Sequence, residues 1–282
     1  MTSSASRWSD LRPRMLSAAV MVAIGAVEIW AGGWTFSVLV VVLTGLMLWE
    51  LASMTRPEVA GRVDRPSRAP QGRMALALGV LGGVCLAFTL FSAREFSAFL
   101  LLVPALAFAL TPRRDRRLSA LWAAGAMVAG FGLITLRNEA GTPAIVWIVL
   151  VVVVSDVMGY FAGRLLGGPK FWPAISPKKT WSGTVAGWIG AAVVGFVFWY
   201  QGFAPVGIIV LSALVSFAGQ MGDIMESWIK RRTGVKDSSG LIPGHGGFLD
   251  RFDAMTGAVV LVMLLSLLLP LPLPLGAMAG GG

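Results

Sequence analysis

Acidic side chains are scarce in this chain, 14 Asp and Glu in 282 residues, and two pairs of them stand close together in its last third. Asp223 and Glu226 are spaced i, i+3, as are Asp250 and Asp253, so on helices each pair shares one face. Two hairpinned helices presenting such faces gather the oxygen ligands that a hard divalent cation prefers, and such a cation often brings a substrate phosphate with it. For one isolated pair, a solvated interface charge matched by Lys230, Arg231 or Arg251 is the simpler reading. Three acids, Asp223, Asp250 and Asp253, flanking one loop favour the cation. That loop contains Lys236, Asp237, Pro243, Gly244, His245, Gly246 and Gly247. Its glycines let backbone N–H groups approach an anion, and Lys236 and Arg251 add positive charge, a pattern suited to cradling phosphate. A glycine turn around a buried, hydrogen-bonded histidine is the competing reading for His245, the only histidine of the chain.

A second polar, basic run reads Ser176-Pro177-Lys178-Lys179-Thr180-Trp181-Ser182-Gly183, downstream of Ser155-Asp156. Alone it is a weak signal, because paired lysines are common at a membrane edge. Walker A, HExxH, Cys/His zinc and GxSxG patterns are all missing, so ATPase, zinc-protease and α/β-hydrolase readings lack their residues. Glu28 and Glu50 sit inside apolar runs, and the sequence assigns them no chemistry.

The elements that must position these residues follow from composition. Hydrophobic residues make up 56% and charged residues 13% of the chain, against a globular norm of about 25% charged. A soluble fold is nearly excluded. Apolar runs long enough to cross a bilayer occupy 15–31, 34–54, 74–91, 96–110, 118–136, 143–161, 185–200, 206–225 and 254–271. The β-branched stretch 145–154 passes for a strand, but an open strand in lipid leaves its backbone groups unpaired, so helix is expected. The first run follows Arg7, Arg12 and Arg14, as a signal peptide would; with eight more runs behind it, it is expected to be a retained helix. Pro270, Pro272 and Pro274 end the last one. The lone Cys85 excludes an intramolecular disulfide.

The net charge of +9 then sorts by loop. With alternating spans and a cytoplasmic N-terminus, 21 of the 23 Lys and Arg fall on one side, leaving Arg94 and Arg137 opposite. The positive-inside rule turns that asymmetry into an orientation. The expectation is an all-α polytopic membrane protein of nine transmembrane helices, N-terminus cytoplasmic and C-terminus non-cytoplasmic. It forms a single integral-membrane domain over 1–282, with a cytoplasmic segment 1–14 and the motif-bearing half at 144–271. The basic loops serve topology and anionic lipid head groups, not nucleic acid. No inverted repeat of the transporter kind is visible.

The ordered series from Ser227 through Lys230, Lys236, Asp237, Pro243, Gly244, His245, Gly246, Gly247 and Asp250 to Arg251 and Asp253 resembles the signature of the phosphatidate cytidylyltransferases, also called CDP-diacylglycerol synthases. The upstream Ser176 to Thr180 run and Gly222-Asp223-x-x-Glu226-Ser227 are similar to that family's other motifs. Ser155 and Ser182 depart from it, standing where Asn and Glu are frequent. The resemblance implies transfer of CMP from CTP to phosphatidic acid, giving CDP-diacylglycerol and pyrophosphate, with Mg²⁺ and room for a second cation. It further implies a homodimer among membrane lipids, in the bacterial cytoplasmic (inner) membrane with the site facing the cytoplasm. On this footing Asp223, Asp250 and Asp253 hold the cation or cations, with Glu226 and Asp237 as secondary ligands. Lys178, Lys179, Lys236 and Arg251 contact phosphates, Lys179 within the catalytic set. Ser176, Thr180, Asp237, Gly244, His245 and Gly246 line the substrate.

Rival classes remain open at this point. An ion transporter would place its acids mid-membrane, and a CTP-dependent polyprenol or phytol kinase would release CDP. A purely structural membrane protein leaves the 236–253 constellation without a reason.

Overall fold

The computed structural model describes residues 11–56 and 72–274. Arg7, Trp8, the loop arginines Arg62, Arg65 and Arg68, most of the segment 1–14 and the Gly-rich C-terminal end lie outside them. Among the described residues there are nine helices: α1 (Leu11–Ala31), α2 (Gly33–Met54), α3 (Arg73–Thr89), α4 (Arg94–Leu110), α5 (Arg116–Glu139), α6 (Thr142–Leu165), α7 (Trp181–Tyr200), α8 (Ile208–Thr233) and α9 (Leu249–Ser266). Each takes up one of the nine apolar runs. Six of them, α1, α2, α5, α6, α7 and α8, are long and apolar enough to cross a membrane. Side chains such as Val20, Trp30, Val38, Leu121 and Val193 stand exposed on these helices, the opposite of a water-soluble surface. The chain is a helical membrane protein.

The chain folds as two compact units, one of Met1–Met127 with Ile229–Phe252 and one of Val128–Trp228 with Asp253–Gly282. In the first, α1 turns into α2 through Gly32 and Gly33, both at positive φ (63° and 58°), where a side chain would be strained. Helices α2 and α3 meet through small residues: a Cβ on Gly45 would lie 3.1 Å from Gly79 O. Close backbone approach of this kind is how apolar helices associate when lipid is as apolar as their side chains. Beyond α4, Arg113 donates to Ala52 O (3.3 Å), a carbonyl that the end of α2 leaves open, and to the Thr55 hydroxyl (3.0 Å). Asp115, at φ 52°, receives both Nε and Nη2 of Arg232.

In the second unit, α6 and α7 pack along their length, and a polar ladder runs along α8. Trp147 donates its indole N–H to Ser212, Ser155 pairs with Ser216 at 2.7 Å, and Gln220 joins Thr184 O to Trp188. Between α6 and α7 the chain forms an antiparallel hairpin, β1 (Lys170–Trp172) and β2 (Ser176–Thr180), which the apolar pattern does not show. Trp181 N donates to Pro169 O and Ser182 Oγ to Gly167 O, which hold the hairpin against the start of α7.

Candidate active site

Helices α8 and α9 carry the acids. Within the second unit they approach through glycines: a Cβ on Gly222 would strike the Asp253 carbonyl, and one on Gly219 would lie 3.1 Å from Ala254 O. This closeness lets Asp253 face the Asp223 and Glu226 side of α8. One carboxylate oxygen from each of Asp223, Glu226 and Asp253 lies within 4.8 Å of the others, with Glu226 and Asp253 buried and Asp223 half-buried. An all-oxygen donor set of this spacing suits Mg²⁺ or another hard cation better than zinc or copper. Ser227 Oγ donates to Asp223 Oδ1 at 3.4 Å, and Asp253 Oδ1 accepts from Ala254 N at 2.8 Å.

The hairpin supplies the cation side of the balance. Lys179 Nζ stands 2.5 Å from Asp223 Oδ2 and 3.4 Å from Gln220 O. Asp156 on α6 shares the field of Asp223 and Lys179. Thr180 N-caps α7, accepting from Gly183 N at 3.2 Å, which fixes the strand that carries the lysines. A Cβ on Gly183 would come within 2.5 Å of Gly159 O, so α7 begins pressed against α6. Lys178 and Ser176 lie on the same strand, Lys178 exposed and Ser176 half-buried.

In the first unit the loop 234–248 is a built structure. Val235 N donates back to Lys230 O, and Ile242 and Gly246 pair across a tight turn in which Gly244 and Gly246 take positive φ (75° and 83°). Arg251 donates through Nε and Nη2 to His245 O. His245 Nδ1 meets Ser17 Oγ at 2.8 Å, and Ser17 also donates to Pro243 O. Asp250 accepts from Lys230 Nζ (2.8 Å), Ser238 N, Ser238 Oγ and Gly247 N (2.8 Å), which ties the loop to the start of α9. Lys236 is exposed on this loop and Asp237 half-buried.

The expected residues therefore fall into two groups. Asp223, Glu226, Asp253 and Lys179 come together in the second unit. Asp250, Lys236, Asp237, Gly244, His245, Gly246 and Arg251 belong to the loop of the first unit, where the Asp250 carboxylate binds Lys230 and loop donors. The pattern reading missed Glu50, which is fully buried and bound to this same loop; an acid inside an apolar run was the one visible signal.

A helical membrane protein with a buried carboxylate cluster, a lysine-bearing hairpin and a glycine loop is the class that fold and site define. The cytidylyltransferase family profile matches residues 12–269, and the chain belongs to that family. It is 44% identical over 149 residues to a phosphatidate cytidylyltransferase of Brucella abortus biovar 1, an overlap of 50% of this chain and 55% of that protein. Proteins of the same name from Helicobacter pylori (strain ATCC 700392 / 26695) and Haemophilus influenzae are each 41% identical, over 128 and 142 residues, covering 44% and 45% of this chain and 47% and 49% of theirs. The chain spans about half the length of the curated relatives it matches.

Proposed function

We propose that this protein is a CTP:phosphatidate cytidylyltransferase, a nucleotidyltransferase of phospholipid biosynthesis. The observation that carries the reading is the Asp223, Glu226 and Asp253 cluster with Lys179 at its edge. An ionised phosphate oxygen of phosphatidic acid attacks the α-phosphorus of CTP; a new phosphoanhydride bond forms, the α–β bond breaks, and pyrophosphate leaves with its electron pair. No general base is required, because a phosphate monoester is already ionised near pH 7. The difficulty is charge: two anions must meet in line, and catalysis consists of neutralising and orienting them.

Lys179 contributes a positive charge in contact with Asp223, and Lys178 on the same strand extends it toward solvent. Asp223, Glu226 and Asp253 would hold Mg²⁺, which when bound supplies charge neutralisation to the phosphates. Lys236 and the backbone of Gly244, His245 and Gly246 serve the nucleotide or pyrophosphate, with Arg251 bracing that turn from below. The enzyme crosses the bacterial inner membrane nine times, its N-terminus and site on the cytoplasmic side, and acts as a homodimer. The sorting of 21 of 23 basic residues to one side supports that orientation.

The test is product analysis. Detergent-solubilised full-length protein is given CTP, phosphatidic acid and Mg²⁺, and both products are identified. CDP-diacylglycerol with stoichiometric pyrophosphate is expected. Release of CDP with a newly phosphorylated lipid would make it a CTP-dependent kinase, and absence of CTP turnover would overturn both.

A further inference from the structure

Glu50 lies in the apolar helix α2, is fully buried, and has no part in the chemistry above. Its carboxylate nevertheless meets four donors, all from one segment. Oε1 accepts from Ser239 Oγ at 2.6 Å and Phe248 N at 3.1 Å; Oε2 accepts from Leu249 N at 2.7 Å and Ser238 Oγ at 3.3 Å. The Phe248 and Leu249 amides open α9, where N–H groups have no partner within the helix. A negative charge at that end also complements the helix dipole. Gly247 lies directly against the same group: a Cβ there would come within 2.5 Å of Glu50 Oε1 and would strike Ser238 Oγ. Ser238 and Gly247 are also the residues that Asp250 binds, so one carboxylate grips the loop from α2 while another grips it from α9.

We propose that Glu50 is a positioning residue that fixes the segment 236–249, and with it Lys236, Asp237 and the glycine turn, in the arrangement that receives the nucleotide. Its catalytic consequence rests on the function proposed above; the contact itself does not. Both oxygens are occupied by donors, two of them backbone N–H groups that cannot reverse polarity. Glutamine keeps the volume but has one acceptor oxygen, so its NH₂ must face Phe248 N–H or Leu249 N–H, and that amide is left unmatched.

The experiment compares wild type, Glu50→Gln and Ser239→Ala as full-length protein in detergent, by amide hydrogen exchange and by steady-state kinetics. For Glu50→Gln, amides in 236–249 are expected to exchange about tenfold or more faster, while those of α6 and α7 keep wild-type protection. In the same variant kcat/KM for CTP falls about tenfold or more and the KM for phosphatidic acid is unchanged, a split that general destabilisation does not produce. Ser239→Ala removes one of the four donors from the loop side and shows the same changes to a smaller degree; it decides the matter if Glu50→Gln does not fold. Wild-type exchange across 236–249 in the folded variant overturns the proposal, and so does faster exchange with unaltered kcat/KM. If wild type itself turns over no CTP, the proposed function fails, and the exchange comparison alone then decides whether Glu50 holds the loop.

Discussion

Lys179 Nζ and Asp223 Oδ2 meet at 2.5 Å, joining strand β2 to helix α8 with a half-buried ion pair. Lys179 is the cation of the hairpin in direct contact with the acid cluster, so its charge should matter beyond its packing. Lys179→Met, which keeps the aliphatic stem, is expected to lower turnover about 10²- to 10³-fold, the usual cost of removing a preorganised electrostatic group. Lys179→Arg keeps the charge in a different geometry and should fall between. Initial rates of CDP-diacylglycerol formation, with melting temperatures to confirm folding, check both.

The carboxylate trio predicts a divalent-metal requirement. Chelation should abolish activity and added Mg²⁺ restore it. Glu226→Gln and Asp253→Asn should raise the Mg²⁺ concentration for half-maximal rate by about tenfold or more. Metal titrations that coincide with wild type would assign the cluster another task.

Helix spacing gives a third expectation. A Cβ on Gly222 runs into the Asp253 carbonyl, and neither backbone can yield without moving the acid. Gly222→Ala is expected to cost about 1–3 kcal/mol and to lower activity along with stability. Gly25 in α1 has nothing within 4 Å of its would-be Cβ, so Gly25→Ala should be neutral or slightly stabilising. Thermal unfolding in detergent separates the two.

Arg113 supplies a pH prediction. Burial first, and the neighbouring Arg56 charge second, lower its pKa to about 10. For a base whose folded value lies below its unfolded one, the folded state binds the proton more weakly, so stability from this titration rises only as pH climbs past about 10 and is level below it. Arg113→Met loses the bonds to Ala52 O and Thr55 and the contact with the Phe108 ring, at a cost of about 1–3 kcal/mol. That deficit should stay constant between about pH 6 and pH 9, as melting curves across the range would show.

Helix existence was legible because an apolar run in a chain this poor in charge has few alternatives, and all nine runs are helical. Their ends were less so. Helix α8 continues to Thr233, past the apolar run, and α9 begins at Leu249, five residues before its run, where Glu50 accepts from the opening Leu249 amide and Asp250 from Gly247 N just ahead of the helix. The pairing of Asp223 with Glu226 followed from i, i+3 spacing. Asp250 and Asp253 do share helix α9, and Asp250, in its first turn, also reaches back to the free Gly247 N–H just ahead of the helix and to Ser238 in the loop. The β1–β2 hairpin left no trace, since Lys170–Trp172 is three residues long and β2 contains Pro177. Glu50 was out of reach for another reason: its partners are 188 to 199 residues away, and no local pattern encodes so distant a bond.

That separation also sets a schedule. Because the chain is synthesised from its N-terminus, α2 is made and enters the bilayer long before Ser238, Ser239, Phe248 and Leu249 exist. Glu50 therefore waits in an apolar helix until the donors 188 to 199 residues further along have been added. A nascent chain that stops before residue 249 carries in α2 an acid whose full set of four donors has not been made.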